Sequence, residues 1–168
     1  ARAGLVLLTR SHFNDLAPAI ERQIRCWNPK APIFRGRVRP RAWVENRTGV
    51  RHPLESRPFS RPTAFCGLGN PQSFRRTLDQ MGVTLADWIE FGDHHRYHPH
   101  QLRRIALHSR AAGADALITT EKDSINLCEP CAEIAAPLEI YWLEAALEIE
   151  NESEFLGYIE ARLRRDAL

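Results

Sequence analysis

The chain has 168 residues, of which 43% are hydrophobic and 26% are charged. That length can bury one modest hydrophobic core, and no apolar run approaches the about 20 residues that a membrane-spanning helix needs. The net charge of +2 is too small to indicate nucleic acid as a partner. Composition therefore predicts part of an ordinary soluble enzyme rather than a membrane-spanning or nucleic-acid-binding protein.

The first segment, residues 1–31, predicts one strand and one helix. Residues 5–8 are an apolar run of strand length, and a helix is expected to begin at Asn14 and to end at Pro29. Three apolar side chains recur on one face of that helix: Leu16, Ile20 and Ile24.

Residues 32–62 are rich in Pro and Arg and predict an extended ribbon that links two lobes. Four arginines alternate along this segment, Arg35, Arg37, Arg39 and Arg41, so an extended strand places their guanidinium groups on one face. The first three are hereafter the arginine row. One interpretation is a solvated edge strand, in which Pro40 makes a regular ladder doubtful. The other is contact with the phosphate of a lipid or with an anionic membrane surface.

From residue 63 to residue 168, short apolar runs alternate with helical patterns. Strands are predicted near residues 63–67, 86–91, 115–119 and 138–142, and the last helix is predicted over about 152–165. This alternation is typical of a parallel sheet that helices cover on both faces. The predicted fold class is therefore α/β.

The first polar motif ends the strand near 63–67 and reads Gly67-Leu68-Gly69-Asn70-Pro71. Asn70 suits the N-cap of a helix, Pro71 suits its first position, and Gly82 suits the left-handed residue that follows its last turn. Two glycines before a helix N-terminus can expose amide donors to an anion. A simple sharp turn also explains them.

The second motif, Phe91-Gly92-Asp93-His94-His95-Arg96-Tyr97, ends the next strand, and Pro99 opens the helix after it. Ligands of open α/β sheets bind beyond the carboxyl ends of the strands, so this loop is a candidate for catalytic chemistry. Neighbouring side chains on an extended chain point to opposite faces. The adjacent Asp and His are therefore not expected to form a self-contained dyad, and one of them is expected to face the site while the other holds the loop. The alternative is a polar loop that only caps the next helix.

The third motif, Thr119-Thr120-Glu121-Lys122-Asp123, ends the strand near 115–119. Thr120 and Asp123 have the spacing of a capping box, which is one interpretation. The functional interpretation is that a lysine and two carboxylates lie at the same sheet edge as the histidines.

Cys128 and Cys131 form a Cys-x-x-Cys pair, whereas Cys26 and Cys66 are isolated. A structural zinc site takes four ligands, and the chain offers no second pair at ligand spacing. Reduced thiols of a cytoplasmic protein are therefore expected, and no metal site is predicted.

The order and spacing of the three motifs resemble the C-terminal half of tetraacyldisaccharide 4′-kinase, the lipid A 4′-kinase family of Gram-negative bacteria. Leu8-Thr9-Arg10 also resembles a strand-end motif of that family. Gly92 stands where the family usually has Pro, a departure that is expected to loosen the histidine loop without removing its chemistry.

The resemblance implies a P-loop-kinase-like lobe that takes part in phosphoryl transfer from ATP, with Mg²⁺, to the 4′-hydroxyl of an acylated disaccharide 1-phosphate. It implies that His94 and Asp93 are catalytic, with His94 orienting a carboxylate of the nucleotide-binding domain while Asp93 and Tyr97 fix the loop. It makes the arginine row a candidate for the lipid phosphate, and it implies a cytoplasmic protein on the inner face of the inner membrane. The candidates for lining the substrate or nucleotide cleft are Asn70, Tyr97, Thr120, Glu121, Lys122 and Asp123.

Neither of the two lysines belongs to a Walker A motif. Lys30 follows Pro29 and Lys122 follows Glu121, whereas a P-loop needs Gly-Lys-Ser/Thr to hold phosphates and Mg²⁺. Residues 1–31 are therefore expected to be the tail of a nucleotide-binding domain whose Walker A lies upstream. The chain alone is expected to be inactive, with ATP and Mg²⁺ bound mainly by that upstream part.

Two other function classes remain open at this point. Asp-His-His is also the signature of manganese phosphoesterases, whose metals need further aspartates at upstream strand ends, and Thr9-Arg10 and Cys66-Gly67 offer none. A non-catalytic α/β binding module is the third interpretation.

Overall fold

The computed structural model describes residues 3–9 and 17–166. The chain forms two compact units, one of Ala1–Arg39 with Ala146–Leu168 and the other of Pro40–Ala145. Two long strands, β2 (Ile33–Glu45) and β7 (Glu139–Ile149), each contribute residues to both units. The boundaries predicted at 31/32 and 62/63 concern the organisation of a longer protein and stay predictions.

The first unit combines β1 (Val6–Thr9), the first half of β2 and the end of β7 with two helices. Strand β1 pairs in parallel with the start of β2, and the helices are α1 (Ala17–Trp27) and α6 (Glu152–Asp166). Phe155 of α6 packs edge-on against Phe34, with ring centroids 5.2 Å apart. The predicted helix start at Asn14, together with Leu16 and Arg10, lies outside the described residues, and the helix ends at Trp27, before Pro29.

The second unit is built on a parallel sheet, as the sequence predicts. Strand β4 (Thr63–Cys66) pairs in parallel with β5 (Asp87–Glu90) on one side and with β6 (Ala116–Thr120) on the other. Strand β6 in turn pairs in parallel with the first half of β7. The strand order in this unit is therefore β7-β6-β4-β5, and the carboxyl ends of β4, β5 and β6 meet at one edge.

Helices cover both faces of this sheet. Successive strand residues point to opposite sides, so each face presents apolar side chains for a helix to cover. Ala64 and Cys66 face a core that contains Phe74 and Leu78, both on α2 (Pro71–Gln80). Phe65, between them, faces a second core with residues of α3 (Pro99–Ala111) and α5 (Cys131–Ala135). A one-turn helix, α4 (Glu121–Ser124), follows β6. The α/β fold class is confirmed.

The segment predicted as a ribbon contains strand β2 and a hairpin partner, β3 (Arg51–His52). Strand β2 runs through Pro40 without interruption. It lies between β1 and β7 in the sheet, so the interpretation of this segment as an edge strand was wrong. Trp43 is fully buried, and its ring lies 4.8 Å from that of Phe59. This end of the segment therefore belongs to a hydrophobic core. No helix in the described part of the chain is both long enough and apolar enough to cross a bilayer.

Candidate functional site

The three polar motifs converge at the carboxyl edge of β4, β5 and β6. The Gly67 amide donates to Asp123 Oδ1 over 2.9 Å, and the Gly67 carbonyl accepts the His94 amide over 3.2 Å. A single residue of the first motif therefore bonds to both of the other motifs. The expectation that the three motifs share one sheet edge is confirmed.

Gly67 has to be glycine because the other two loops approach it closely. A Cβ there would lie 2.8 Å from His95 Cβ, 3.0 Å from the Gly92 carbonyl oxygen and 3.1 Å from Asp123 Oδ1. At Gly69 the corresponding Cβ meets only the carboxylate of Asp93, at 3.1 Å. Close approach of three chain segments, rather than a sharp turn alone, explains the first glycine.

Asp123 is fully buried and accepts three hydrogen bonds, two of them from outside its own helix turn. Oδ1 accepts from the Gly67 amide at 2.9 Å and from the Tyr97 hydroxyl at 3.1 Å, and Oδ2 accepts from the Thr120 hydroxyl at 2.6 Å. Burial, and then the charge of Asp123, raise the pKa of Tyr97 far above its usual range. Asp123 and Tyr97 were both predicted to line the cleft. The structure instead buries both side chains, so neither reaches an open surface.

Asp93 and Lys122 form an ion pair between the second and third motifs. Lys122 Nζ lies 2.7 Å from Asp93 Oδ1. The hydrogen bond from Lys122 is the main cause that holds the pKa of Asp93 below its usual value. Asp93 also accepts the His94 amide at 3.0 Å. Both donors therefore reach the same carboxylate oxygen, Oδ1.

His94 is the exposed histidine of the loop, with 77% of its side chain accessible. Its φ of 57° is left-handed, which is uncommon for a residue other than glycine. The ring consequently turns back toward its neighbour, and His94 Nε2 lies 3.7 Å from Asp93 Oδ2. The argument that adjacent side chains must point to opposite faces fails here, because the backbone is not extended.

His95 holds the loop through its ring contacts. Its ring stacks on Phe91 at 4.5 Å and meets Tyr97 edge-on at 4.9 Å. Its Nε2 lies 3.2 Å from Gln101 Oε1, and the same oxygen accepts the His98 amide at 3.0 Å. Sequence reasoning missed Gln101, although its place three residues after the helix N-cap follows the capping-box spacing.

The remaining cleft candidates lie at the rim of this edge. Asn70 occupies the predicted N-cap of α2 without a side-chain capping bond, and its carbonyl accepts from the Ser73 amide and hydroxyl. Thr120 caps α4 by accepting the Asp123 amide at 3.2 Å. Glu121 is exposed. The capping interpretation of the third motif is therefore correct for Thr120, while Asp123 does more than complete the cap.

The arginine row lies on the exposed face of β2, as its spacing predicts. Each guanidinium faces a carboxylate within the first unit, at 2.6, 2.9 and 3.3 Å along the row. The three partners, in the same order, are Glu21, Glu150 and Glu148. A lipid phosphate would have to compete with these ion pairs.

The Cys-x-x-Cys pair does not have the surroundings of a metal site. Cys131 is buried and accepts a hydrogen bond from Asn46 Nδ2 at 3.0 Å, and burial raises its pKa. Across residues 3–9 and 17–166 no three His, Cys, Asp or Glu side chains group as metal ligands would.

Fold and site define an α/β protein with polar loops gathered at the carboxyl edge of a parallel sheet. A family model described as tetraacyldisaccharide-1-P 4′-kinase matches residues 1–164. The tetraacyldisaccharide 4′-kinase of Syntrophus aciditrophicus is 33% identical over 126 residues, which cover 75% of this chain and 33% of that protein. The enzyme of the same name from Anaeromyxobacter sp. strain K is 35% identical over 139 residues, covering 80% and 36%. The chain belongs to the tetraacyldisaccharide-1-P 4′-kinase family.

The chain spans about a third of the length of these curated relatives. Among solved structures it is similar to the "apo" form of LpxK from Aquifex aeolicus in complex with ATP. That similarity has a TM-score of 0.49 at 20% identity and covers 95% of this chain and 53% of the other.

Proposed function

We propose that this chain is the C-terminal part of a kinase that transfers the γ-phosphate of ATP to the 4′-hydroxyl of tetraacyldisaccharide 1-phosphate in lipid A synthesis. Family membership supports this proposal. The observation that carries it is the convergence of the three motifs on one sheet edge, with His94 exposed there on a fixed backbone.

His94 has the arrangement that a proton-handling or orienting group needs. Its backbone amide is bonded to Gly67 and to Asp93, so the loop is fixed while the ring stays accessible. Asp93 already bonds Lys122, and its distance of 3.7 Å from His94 Nε2 exceeds a hydrogen bond. His94 is therefore free to orient a carboxylate from outside this chain, and that carboxylate accepts the hydroxyl proton.

The described residues do not fit a Mg²⁺ site. Asp123 spends both carboxylate oxygens on hydrogen bonds inside the protein, and Asp93 is paired with Lys122. We therefore assign the phosphates of ATP and the Mg²⁺ to a Walker A segment outside this chain, and we expect the chain alone to transfer no phosphate. No observation favours the alternatives of a manganese phosphoesterase or a non-catalytic binding module.

The acylated substrate places the reaction at a membrane surface. We propose that the protein is cytoplasmic and peripheral on the inner face of the inner membrane, and that the arginine row faces anionic headgroups or the lipid phosphate. The exposure of the row supports this proposal, with 44–54% of each side chain accessible. Exposed ion pairs contribute only about 0–1 kcal/mol each, so phosphate can displace the carboxylate partners at low cost.

The proposed activity is tested with the complete protein that carries this chain. Incubation with ATP, Mg²⁺ and tetraacyldisaccharide 1-phosphate should give a product one phosphate heavier at the 4′ position. The 168-residue chain alone should give none. Hydrolysis of a generic phosphodiester with Mn²⁺, without transfer to the lipid, would instead support the phosphoesterase class.

A further inference from the structure

We propose that Asp123 is a positioning residue, which fixes the backbone of the His94 loop without touching substrate. This inference rests on the proposed function of His94. It differs from both interpretations of the third motif, since Asp123 is neither a cleft residue nor only a helix cap.

The connection from Asp123 to His94 runs through one residue, Gly67. Asp123 Oδ1 accepts the Gly67 amide, and the carbonyl of Gly67 accepts the His94 amide. Beyond His94, the hydroxyl of Tyr97 donates to the same Asp123 oxygen. One carboxylate therefore holds the His94 loop at two points: directly at Tyr97, and at His94 through Gly67.

The left-handed backbone of His94 is what this network has to maintain. Such a conformation is costly for a residue with a side chain and persists where the surroundings determine it. Hydrogen bonds to a carboxylate are stronger than bonds between neutral groups, and the network is fully buried at Asp123. Asp123 is also adjacent to Lys122, whose ammonium holds Asp93, so one anchored turn sets two contacts of the loop.

A purely structural role for Asp123 makes a different prediction. In that case its loss lowers stability and the amount of folded enzyme, and any effect on turnover is independent of His94. In the positioning role, Asp123 affects turnover only by holding the His94 ring in place. Replacing Asp123 should therefore not lower kcat further when that ring is absent. A double-mutant cycle between the two positions separates the two roles.

The experiment uses the complete kinase, assayed at a temperature where every variant is folded by circular dichroism. Asp123→Asn should lower kcat about 10- to 100-fold with little change in the KM for ATP, the pattern for loss of an interaction used in the transition state. In the His94→Ala background the same change should lower kcat less than about twofold. Tyr97→Phe, which removes a single donor, should show the same dependence on His94 with a smaller effect.

Thr119→Val is the matched control, since Thr119 is also fully buried at this edge but donates to the Phe65 carbonyl at 2.7 Å instead of to Asp123. It should lose stability and keep kcat. An equal loss of kcat from Asp123→Asn in both backgrounds would overturn the positioning role, and Tyr97→Phe decides the matter if the Asn variant does not fold. A wild-type kcat for His94→Ala would instead overturn the proposed function of His94.

Discussion

Gly67→Ala tests whether the three motifs form one packed site. The added methyl group would meet His95 Cβ at 2.8 Å and the Gly92 carbonyl at 3.0 Å, and neither atom lies at the end of a flexible side chain. Overpacking of this kind costs about 1–3 kcal/mol, and weakening the bond from the Gly67 amide to the Asp123 carboxylate adds about 1 kcal/mol. The expected loss is about 2–4 kcal/mol, which for a chain of this size lowers Tm by roughly 4–16 °C.

The matched control is Gly92→Ala in the same loop region. A Cβ at Gly92 meets nothing within 4 Å, so this variant should be unchanged or stabilised by up to about 1 kcal/mol. The stability of Gly69→Ala should lie between those of the other two variants, because a Cβ at Gly69 meets only the accessible carboxylate of Asp93. Thermal unfolding followed by circular dichroism measures all three variants. Equal stability of the Gly67 and Gly92 variants would refute the close packing of the motifs.

Three further predictions concern charge and reactivity. Lys122→Met should raise the pKa of Asp93 toward its ordinary value, measured by NMR of the carboxyl carbon. In the native protein the ion pair between Lys122 and Asp93 should persist at neutral pH. It should be lost as the pH falls through the lowered pKa of Asp93, below 3.8. Iodoacetamide at pH 8 should alkylate the exposed Cys26 and spare Cys66, because burial raises the pKa of Cys66 to about 12, and equal labelling rates would contradict this. Replacing the arginine row by Gln should weaken binding to anionic vesicles by about 1 kcal/mol per residue. Glu148→Gln should strengthen that binding, and no change in either variant would leave the row as a solvated strand face.

Local chemistry was sufficient to predict the regular elements of the second unit. Pro71 and Pro99 occupy the first turns of α2 and α3, and Gly82 and Gly113 take left-handed conformations after them. The apolar runs between these helices correspond to β4, β5 and β6 within one or two residues. The parallel order follows from the alternation of strands and helices, because only a crossover can join parallel neighbours.

The contacts that give the site its geometry were not predictable in the same way. The ion pair between Lys122 and Asp93 joins residues 29 positions apart, and the bond from Gly67 to Asp123 spans 56. Spacing within a motif does not reveal which carboxylate is buried and which is exposed. The left-handed backbone at His94 has only a weak local signal, the general enrichment of histidine in that conformation.

The central claim, that this sheet edge forms part of the kinase active centre, is tested most directly by kcat of His94→Ala in the complete kinase. His100→Ala is the control, because His100 is also an exposed histidine but lies on α3 beyond the loop. We predict that His94→Ala lowers kcat by about 10- to 1000-fold, the range for loss of an acid-base or orienting group, while His100→Ala stays at the wild-type rate. Equal rates for the two variants would contradict the account.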